Sequence, residues 1–191
     1  MRYVLNKKDC KFLGKGKEGE VYLTPEGYAL KIFYNKKKAK EEVKLLEIAA
    51  ESRFFPNVLF IAHNMILREY VDGINLKKYI DLYGLSYNLS CEIIDLVEDF
   101  KFLTFKRINI RNAHIFVNSD EKIQVIDPRK VFSKDTPYPK DIVKVLVKAN
   151  VFDDFIKKLL DYRPELLDYW IASYDYYSYY SKKTLRINMY A

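Results

Sequence analysis

Only two cysteines, Cys10 and Cys91, occur in the 191 residues, and they form no C-x-x-C pair. A disulfide or zinc framework is therefore not expected, and two reduced thiols are. Glycine and proline are scarce, six of each, with no glycine-, serine- or proline-rich stretch to act as a linker and no internal repeat. No uninterrupted apolar run reaches membrane length, and Met1 to Asp9 lacks the apolar segment of a secretory leader. The expectation is a cytoplasmic protein with no membrane span. With 49% hydrophobic and 31% charged residues, the composition is that of a globular domain long enough for two small cores.

Three of the six glycines fall within six positions, in Gly14-Lys15-Gly16-Lys17-Glu18-Gly19-Glu20-Val21-Tyr22. Glycines at these offsets let the backbone turn tightly and approach phosphate oxygens with no Cβ in the way. A dinucleotide-binding fingerprint would need a strand before the glycines and a helix after them. Here Glu20 to Leu23 alternates as a strand, Thr24-Pro25-Glu26-Gly27 is a turn, and Tyr28 to Phe33 is a second strand carrying Lys31. The pattern is a hairpin, and a glycine loop feeding a strand lysine suggests an ATP site.

From about Lys37 to Glu51 the chain is rich in Lys, Glu, Leu and Ala, with Val43, Leu46 and Ala50 at helical spacing. A lysine that holds phosphates needs a helix glutamate to orient it. Glu42, ahead of Leu45-Leu46, is the chosen partner of Lys31. Glu41 and Glu47 are expected to face water or to pair with Lys37 and Lys44.

These features, in this order, resemble the protein kinase superfamily over about Phe12 to Phe132. Phe55-Pro56-Asn57-Val58 is similar to the family's turn after the helix. Met65 to Gly73 is similar to the strand and hinge that hold adenine, and Leu76 to Ile80 would begin the next helix. The resemblance implies that Gly14, Gly16 and Gly19 cover the phosphates, that Val21, Ala29 and Phe116 sandwich adenine, and that backbone groups of Glu69 and Val71 hydrogen-bond the purine. Arg68 takes the gatekeeper position; it is expected to snorkel outward to a carboxylate, the alternative being a direct role in nucleotide choice.

Arg107 to Val117 resembles the catalytic loop, and Val125-Ile126-Asp127-Pro128-Arg129 the metal-binding aspartate segment. Both depart from the family pattern. Against H-R-D-x-x-x-x-N, Asn109 stands at the aspartate and His114 at the asparagine, while Arg111 matches the basic residue two places after the base. Asp127 closes an apolar strand and offers the hard oxygen that magnesium favours; the alternative is an aspartate that merely caps a turn before Pro128. An amide at 109 aims a hydroxyl without taking its proton. Imidazole at 114 suits manganese better than magnesium; the alternative is a histidine that only shapes the turn.

Helices are expected over Leu76 to Tyr83, Ser90 to Lys106, Pro139 to Ala149, Phe152 to Leu160 and Pro164 to Tyr174. Nothing after Asp127 resembles the activation segment of larger kinases, which is similar to the RIO group and other minimal bacterial or phage kinases. The tyrosine-rich Tyr174 to Ser181 would place Tyr176, Tyr179 and Tyr180 on one helical face, to pack on the lower lobe or to bind a partner. The net charge of +7 suggests an acidic partner; the Lys36-Lys37-Lys38 and Lys40 cluster reads as a solvated helix start with a phosphate-friendly field, and a nucleic-acid partner is not expected.

The expected fold is α+β, two-lobed and kinase-like, with an N-terminal antiparallel sheet plus one helix over about residues 1–72 and a reduced helical lobe over 73–191. The expected function is a minimal ATP-dependent protein serine/threonine kinase acting on an unidentified protein with Mg²⁺ or Mn²⁺. Its catalytic residues would be Lys31, Asn109, Arg111 and Asp127, and its metal ligands Asp127 and His114. The alternatives are a catalytically impaired pseudokinase serving as a nucleotide-binding or scaffolding module and, third, a small-molecule phosphotransferase.

Overall fold

The computed structural model describes residues 7–127, 131–132 and 135–188, with side chains as far as 181. Pro128 and Arg129 of the metal-segment comparison, and Met1 to Asn6 of the leader question, lie outside the described residues. The architecture is α+β and divides at Asp72/Gly73 into two compact units.

The first unit is an antiparallel sheet of five strands, β1 (Lys11–Lys15), β2 (Gly19–Leu23), β3 (Tyr28–Phe33), β4 (Val58–Ala62) and β5 (Met65–Glu69), in the order β1-β2-β3-β5-β4. One helix, α1 (Lys36–Ile48), lies between β3 and β4 in sequence. Asn35 starts it by accepting the Lys37 N–H at 2.8 Å, satisfying a donor that the first helical turn leaves without a backbone partner. Ala39, Leu45 and Leu46 are the buried residues of α1. It packs against β3 and β5, where Phe33 and Ile66 are fully enclosed.

Register fixes which side chains share a face. Val21 lies opposite Lys31, Leu23 opposite Ala29, Ala29 opposite Arg68 and Lys31 opposite Ile66. Directly opposed residues point the same way, so Val21, Ala29, Lys31, Ile66 and Arg68 occupy one side of the sheet. Gly19 is required by the close approach of β2 and β3: a Cβ there would stand 2.1 Å from the Ile32 carbonyl oxygen.

The second unit begins with β6 (Ile74–Asn75), which joins β7 (Ile115–Val117) and β8 (Ile123–Val125) in a small antiparallel sheet. Gly73, at φ +104°, is the residue this entry demands, since a Cβ would meet the Val117 carbonyl oxygen at 2.2 Å. The helices are α2 (Leu76–Tyr83), α3 (Tyr87–Phe102), α4 (Lys140–Lys148), α5 (Phe152–Tyr162) and α6 (Leu167–Asn188). Leu89, Ile93, Ile94, Leu96, Val97 and Phe100 of α3 are wholly buried, as are Ile142, Leu146, Phe155 and Trp170 from the later helices. A helix apolar over so much of its surface belongs at the centre of a helical core.

The bounds of two of these helices differ most from expectation. The helix expected at Ser90 begins three residues earlier and ends at Phe102, because Ser86 accepts the Leu89 N–H at 2.9 Å and Thr104 turns to φ +55°. The last helix runs to Asn188 rather than stopping near Tyr174, as no glycine or proline follows Pro164 to interrupt it. Tyr176 packs on Tyr138 and Tyr180, with ring centroids 5.2 and 4.6 Å apart, whereas Tyr179 is 63% exposed. Among the described residues, no helix is long and apolar enough to cross a membrane.

Candidate functional site

The sheet side that carries Lys31 holds a buried ion pair. Lys31 Nζ lies 2.5 Å from Glu42 Oε2, joining β3 to α1, and each side chain is 9% exposed. Of the glutamates of α1, Glu42 is thus the one that meets this lysine, while Glu41 and Glu47 are exposed to water as expected, Glu41 also pairing with Lys38 at 2.6 Å. The ammonium also stands over the Phe33 ring, 4.7 Å from its centroid. A buried charge pair is costly to desolvate and is poor evidence of stability by itself. Its position, one strand over from Val21 of the glycine hairpin, is what makes it a candidate for function.

The three glycines of that hairpin are not equivalent. Gly19 is dictated by β3, but a Cβ on Gly14 or on Gly16 would meet nothing within 4 Å. The loop is closed by the Gly16 N–H donating to the Gly19 carbonyl at 2.9 Å. Beside it, Glu20 gathers the Tyr22 hydroxyl at 2.6 Å, Lys7 at 3.0 Å and Lys15 at 3.9 Å. The hydrogen bond from Tyr22, then that from Lys7, holds the Glu20 carboxyl down to about 2. Lys7 is lifted to about 12 by its hydrogen bonds with Tyr22 and then Glu20. The sequence pattern does not single out this cluster, because Lys7, from the turn at 7–9, and Lys15, across from Glu20 on β1, reach the Glu20–Tyr22 pair of β2 only in the fold.

At the end of β5, Arg68 is 7% exposed and donates from Nη1 to the Glu69 carbonyl at 3.1 Å. Arg68 is therefore buried and does not snorkel outward, and its Nη1 meets backbone within the same unit. The Glu69 N–H donates to the Asn57 carbonyl at 2.9 Å, and the Glu69 carboxylate accepts the Asn57 N–H and side-chain amide. Of the two backbone groups of Glu69 that could meet a purine, the carbonyl is the one with acceptor capacity left, since a carbonyl has two lone pairs. Val71 is buried, as is Ala29.

In the second unit, residues 106–108 are hydrogen-bonded to Val131 and Thr136. The Arg107 N–H donates to Val131, the Ile108 N–H to Thr136 and the Thr136 N–H to Lys106. Ile108 and Ile110 are buried, whereas Asn109 is half-buried and Arg111 exposed. Arg107 Nε donates to the Asn109 carbonyl at 3.0 Å. Asn109 Oδ1 accepts the Asp141 N–H at 2.7 Å, in the first turn of α4. Its amide oxygen therefore serves a helix start that Pro139, at the cap position, cannot serve with a side chain.

Arg111 is exposed, and its carbonyl accepts the His114 N–H at 2.9 Å in the short 3-10 turn at 112–114. The His114 carbonyl accepts the Ile126 N–H at 2.9 Å, tying the loop to the strand that leads into Asp127. Asp127 itself sits at φ +51°, in the left-handed region. Aspartate tolerates that region better than most residues, and such outliers concentrate at functional sites. Phe116, in β7, is half-buried and opposes Gln124. The buried Oδ1 of Asn112, inside the same turn, has no hydrogen-bond partner among the described residues.

One carboxylate and one imidazole, Asp127 and His114, are thus brought to adjoining stretches of backbone. A hard carboxylate oxygen with an imidazole fits a divalent ion of the manganese type, and the carboxylate alone fits magnesium. No family model matches the chain, and no curated protein matches it.

Proposed function

We propose that this chain is a minimal protein serine/threonine kinase with the two-lobed kinase-like fold, transferring the γ-phosphate of a purine nucleoside triphosphate to a protein hydroxyl. ATP is the donor that the resemblance implies. The observation that carries the reading is the buried Lys31–Glu42 pair at 2.5 Å, reached from β3 and α1 and sharing a sheet side with Val21 and Ala29. A lysine fixed in this way presents its remaining donors to phosphate oxygens as a charge-assisted contact. The open space above Gly14 and Gly16 supports the approach of phosphate to backbone N–H groups.

Asp127 and His114 would hold a divalent ion, Mg²⁺ or Mn²⁺, which supplies neutralisation of phosphate charge when bound. Arg111 would orient the transferred group, and Asn109 would aim the acceptor hydroxyl. Phosphoryl transfer depends chiefly on positioning and charge stabilisation. An amide in place of a base costs about 10²–10⁴-fold and leaves a slow enzyme.

The engagement of Asn109 Oδ1 by the Asp141 N–H favours a second reading, a pseudokinase that binds nucleotide without turning it over. Incubation of the pure chain with γ-labelled ATP or GTP, Mg²⁺ or Mn²⁺ and a generic protein separates the two. Lys31→Met is expected to abolish transfer and to remove nucleotide-dependent thermal stabilisation. Equal stabilisation of variant and parent would refute the assignment of Lys31.

A further inference from the structure

We infer that two copies of this chain associate through β4, edge to edge and antiparallel, so that their first units share one continuous sheet; the inference does not depend on the nucleotide reading. β1 and β4 are the outer strands of the five-stranded sheet. An outer strand turns alternate N–H and C=O groups away from its neighbour, a template with which another strand can pair. β1 is guarded against this, with Lys11 and Lys15 at its ends and a shift of register between Phe12 and Gly14. β4 carries no charge: it reads Val58-Leu59-Phe60-Ile61-Ala62, and Leu59, Phe60 and Ile61 are 44%, 57% and 44% exposed. Its own shift of register lies between Val58 and Phe60 and leaves Phe60 to Ala62 regularly paired on β5. Among the described residues, the backbone of 58–62 has no backbone hydrogen bond outside the β4–β5 ladder.

Charge selects the occupant. Residues 54–67 hold no Asp, Glu, Lys or Arg, the longest such run in a chain that is 31% charged and carries a net +7. Two copies with that net charge repel each other, and like charges directly opposite in a strand pair are unfavourable. β4 is the edge at which identical strands meet without like charges opposed, around a two-fold axis near Phe60. Ile61 opposes Ile66, which opposes Lys31, the partner of Glu42, so Ile61 lies on the α1 side of the sheet. There it lines a groove of about 180 Å³ with Val43, Leu46, Ala50 and Phe55, in which Glu47 is the one charged wall residue. Antiparallel pairing about a two-fold axis keeps the same sheet face of both copies on the same side. The two grooves therefore adjoin and add apolar surface to a strand contact that is small for a stable interface by itself. Assembly stops at two copies, because the pairing consumes both β4 edges and leaves the lysine-bearing β1 edges outside.

The test is sedimentation of the full chain over a concentration series, with hydrogen exchange of the 58–62 amides on the same samples. A dimer is expected, and exchange at 58–62 should slow as it forms. Raising salt to about 1 M should hold or tighten the dimer, since contact between apolar surfaces is not screened. Phe60→Lys should raise the dissociation constant about tenfold or more, the loss expected of an aromatic at an interface centre. Phe102→Lys, which removes an exposed phenylalanine of the second unit, should leave it unchanged. A chain monomeric throughout overturns the inference and leaves the edge to a strand of another protein. So does a dimer that Phe60→Lys fails to weaken, that salt dissociates, or that forms without protection of 58–62, and so does assembly past two copies. Should Phe60→Lys fail to fold, exchange at 58–62 in the parent decides alone.

Discussion

Replacing each hairpin glycine by alanine separates a structural glycine from a functional one. At Gly19 the new methyl would stand 2.1 Å from the Ile32 carbonyl oxygen, 2.9 Å from its carbonyl carbon and 3.0 Å from the Phe33 Cα. All three are backbone atoms of a paired strand, so no side chain can swing aside. Carbon contacts settle near about 3.5 Å, so β2 and β3 must part by about 1.4 Å at this point. Overpacking of this kind costs about 1–3 kcal/mol. For a chain of this size, about 2 kcal/mol lowers Tm by about 4–8 °C. Lys31 lies two residues from Phe33, so the displacement also reaches the ion pair.

Gly14→Ala and Gly16→Ala meet open space and lose only unfolded-state freedom, which stabilises by about 0.4–1 kcal/mol. Their effect should fall on nucleotide affinity, where a methyl intrudes on the approach of phosphate. Thermal unfolding with and without nucleotide reads both quantities. A Gly19→Ala protein as stable as the parent, or a Gly16→Ala protein destabilised as much as Gly19→Ala, would refute the reasoning.

Asn109→Ala should cost about 1 kcal/mol through loss of the cap on α4, while Asn109→Asp keeps an acceptor for the Asp141 N–H and adds a negative charge at a helix start. If the kinase reading holds, Asn109→Asp should also raise phosphotransfer about tenfold, and a fall in transfer with the fold intact would show that residue 109 is not the base position. Asp127→Asn should remove metal-dependent nucleotide binding, and His114→Asn should move preference from Mn²⁺ toward Mg²⁺; titrating the two metals against both variants checks each claim. The folded-state value of about 2 for Glu20 lies below the ordinary 4.5. Its stabilising contribution is therefore complete above about 4.5 and disappears as pH falls toward 2. The stability gap between parent and Glu20→Gln should be widest near neutrality and close across that window in pH-dependent denaturation; a gap that persists at pH 2 would contradict it.

The local elements were legible because each rests on periodicity or on a single residue type. Alternation places β2 and β3, the Thr24 to Gly27 turn joins them, and the spacing of apolar residues on α1 leaves Glu42 on the side that meets Lys31. What spacing does not carry is the partner of a polar side chain. Asn109 was matched to a catalytic position, yet its amide oxygen meets Asp141, 32 residues along the chain, because α4 begins with a proline that has no side-chain acceptor. Arg68 is expected to snorkel outward to a carboxylate, yet it is buried, with Nη1 on the Glu69 carbonyl. Asp127 follows an apolar strand in the sequence, but its left-handed backbone, one residue after the Ile126 N–H meets the His114 carbonyl, is not legible there. Short-range order follows from backbone sterics and the 2.0 and 3.6 periods. The partners of buried polar groups are chosen only when distant segments meet and each desolvated donor or acceptor must be matched.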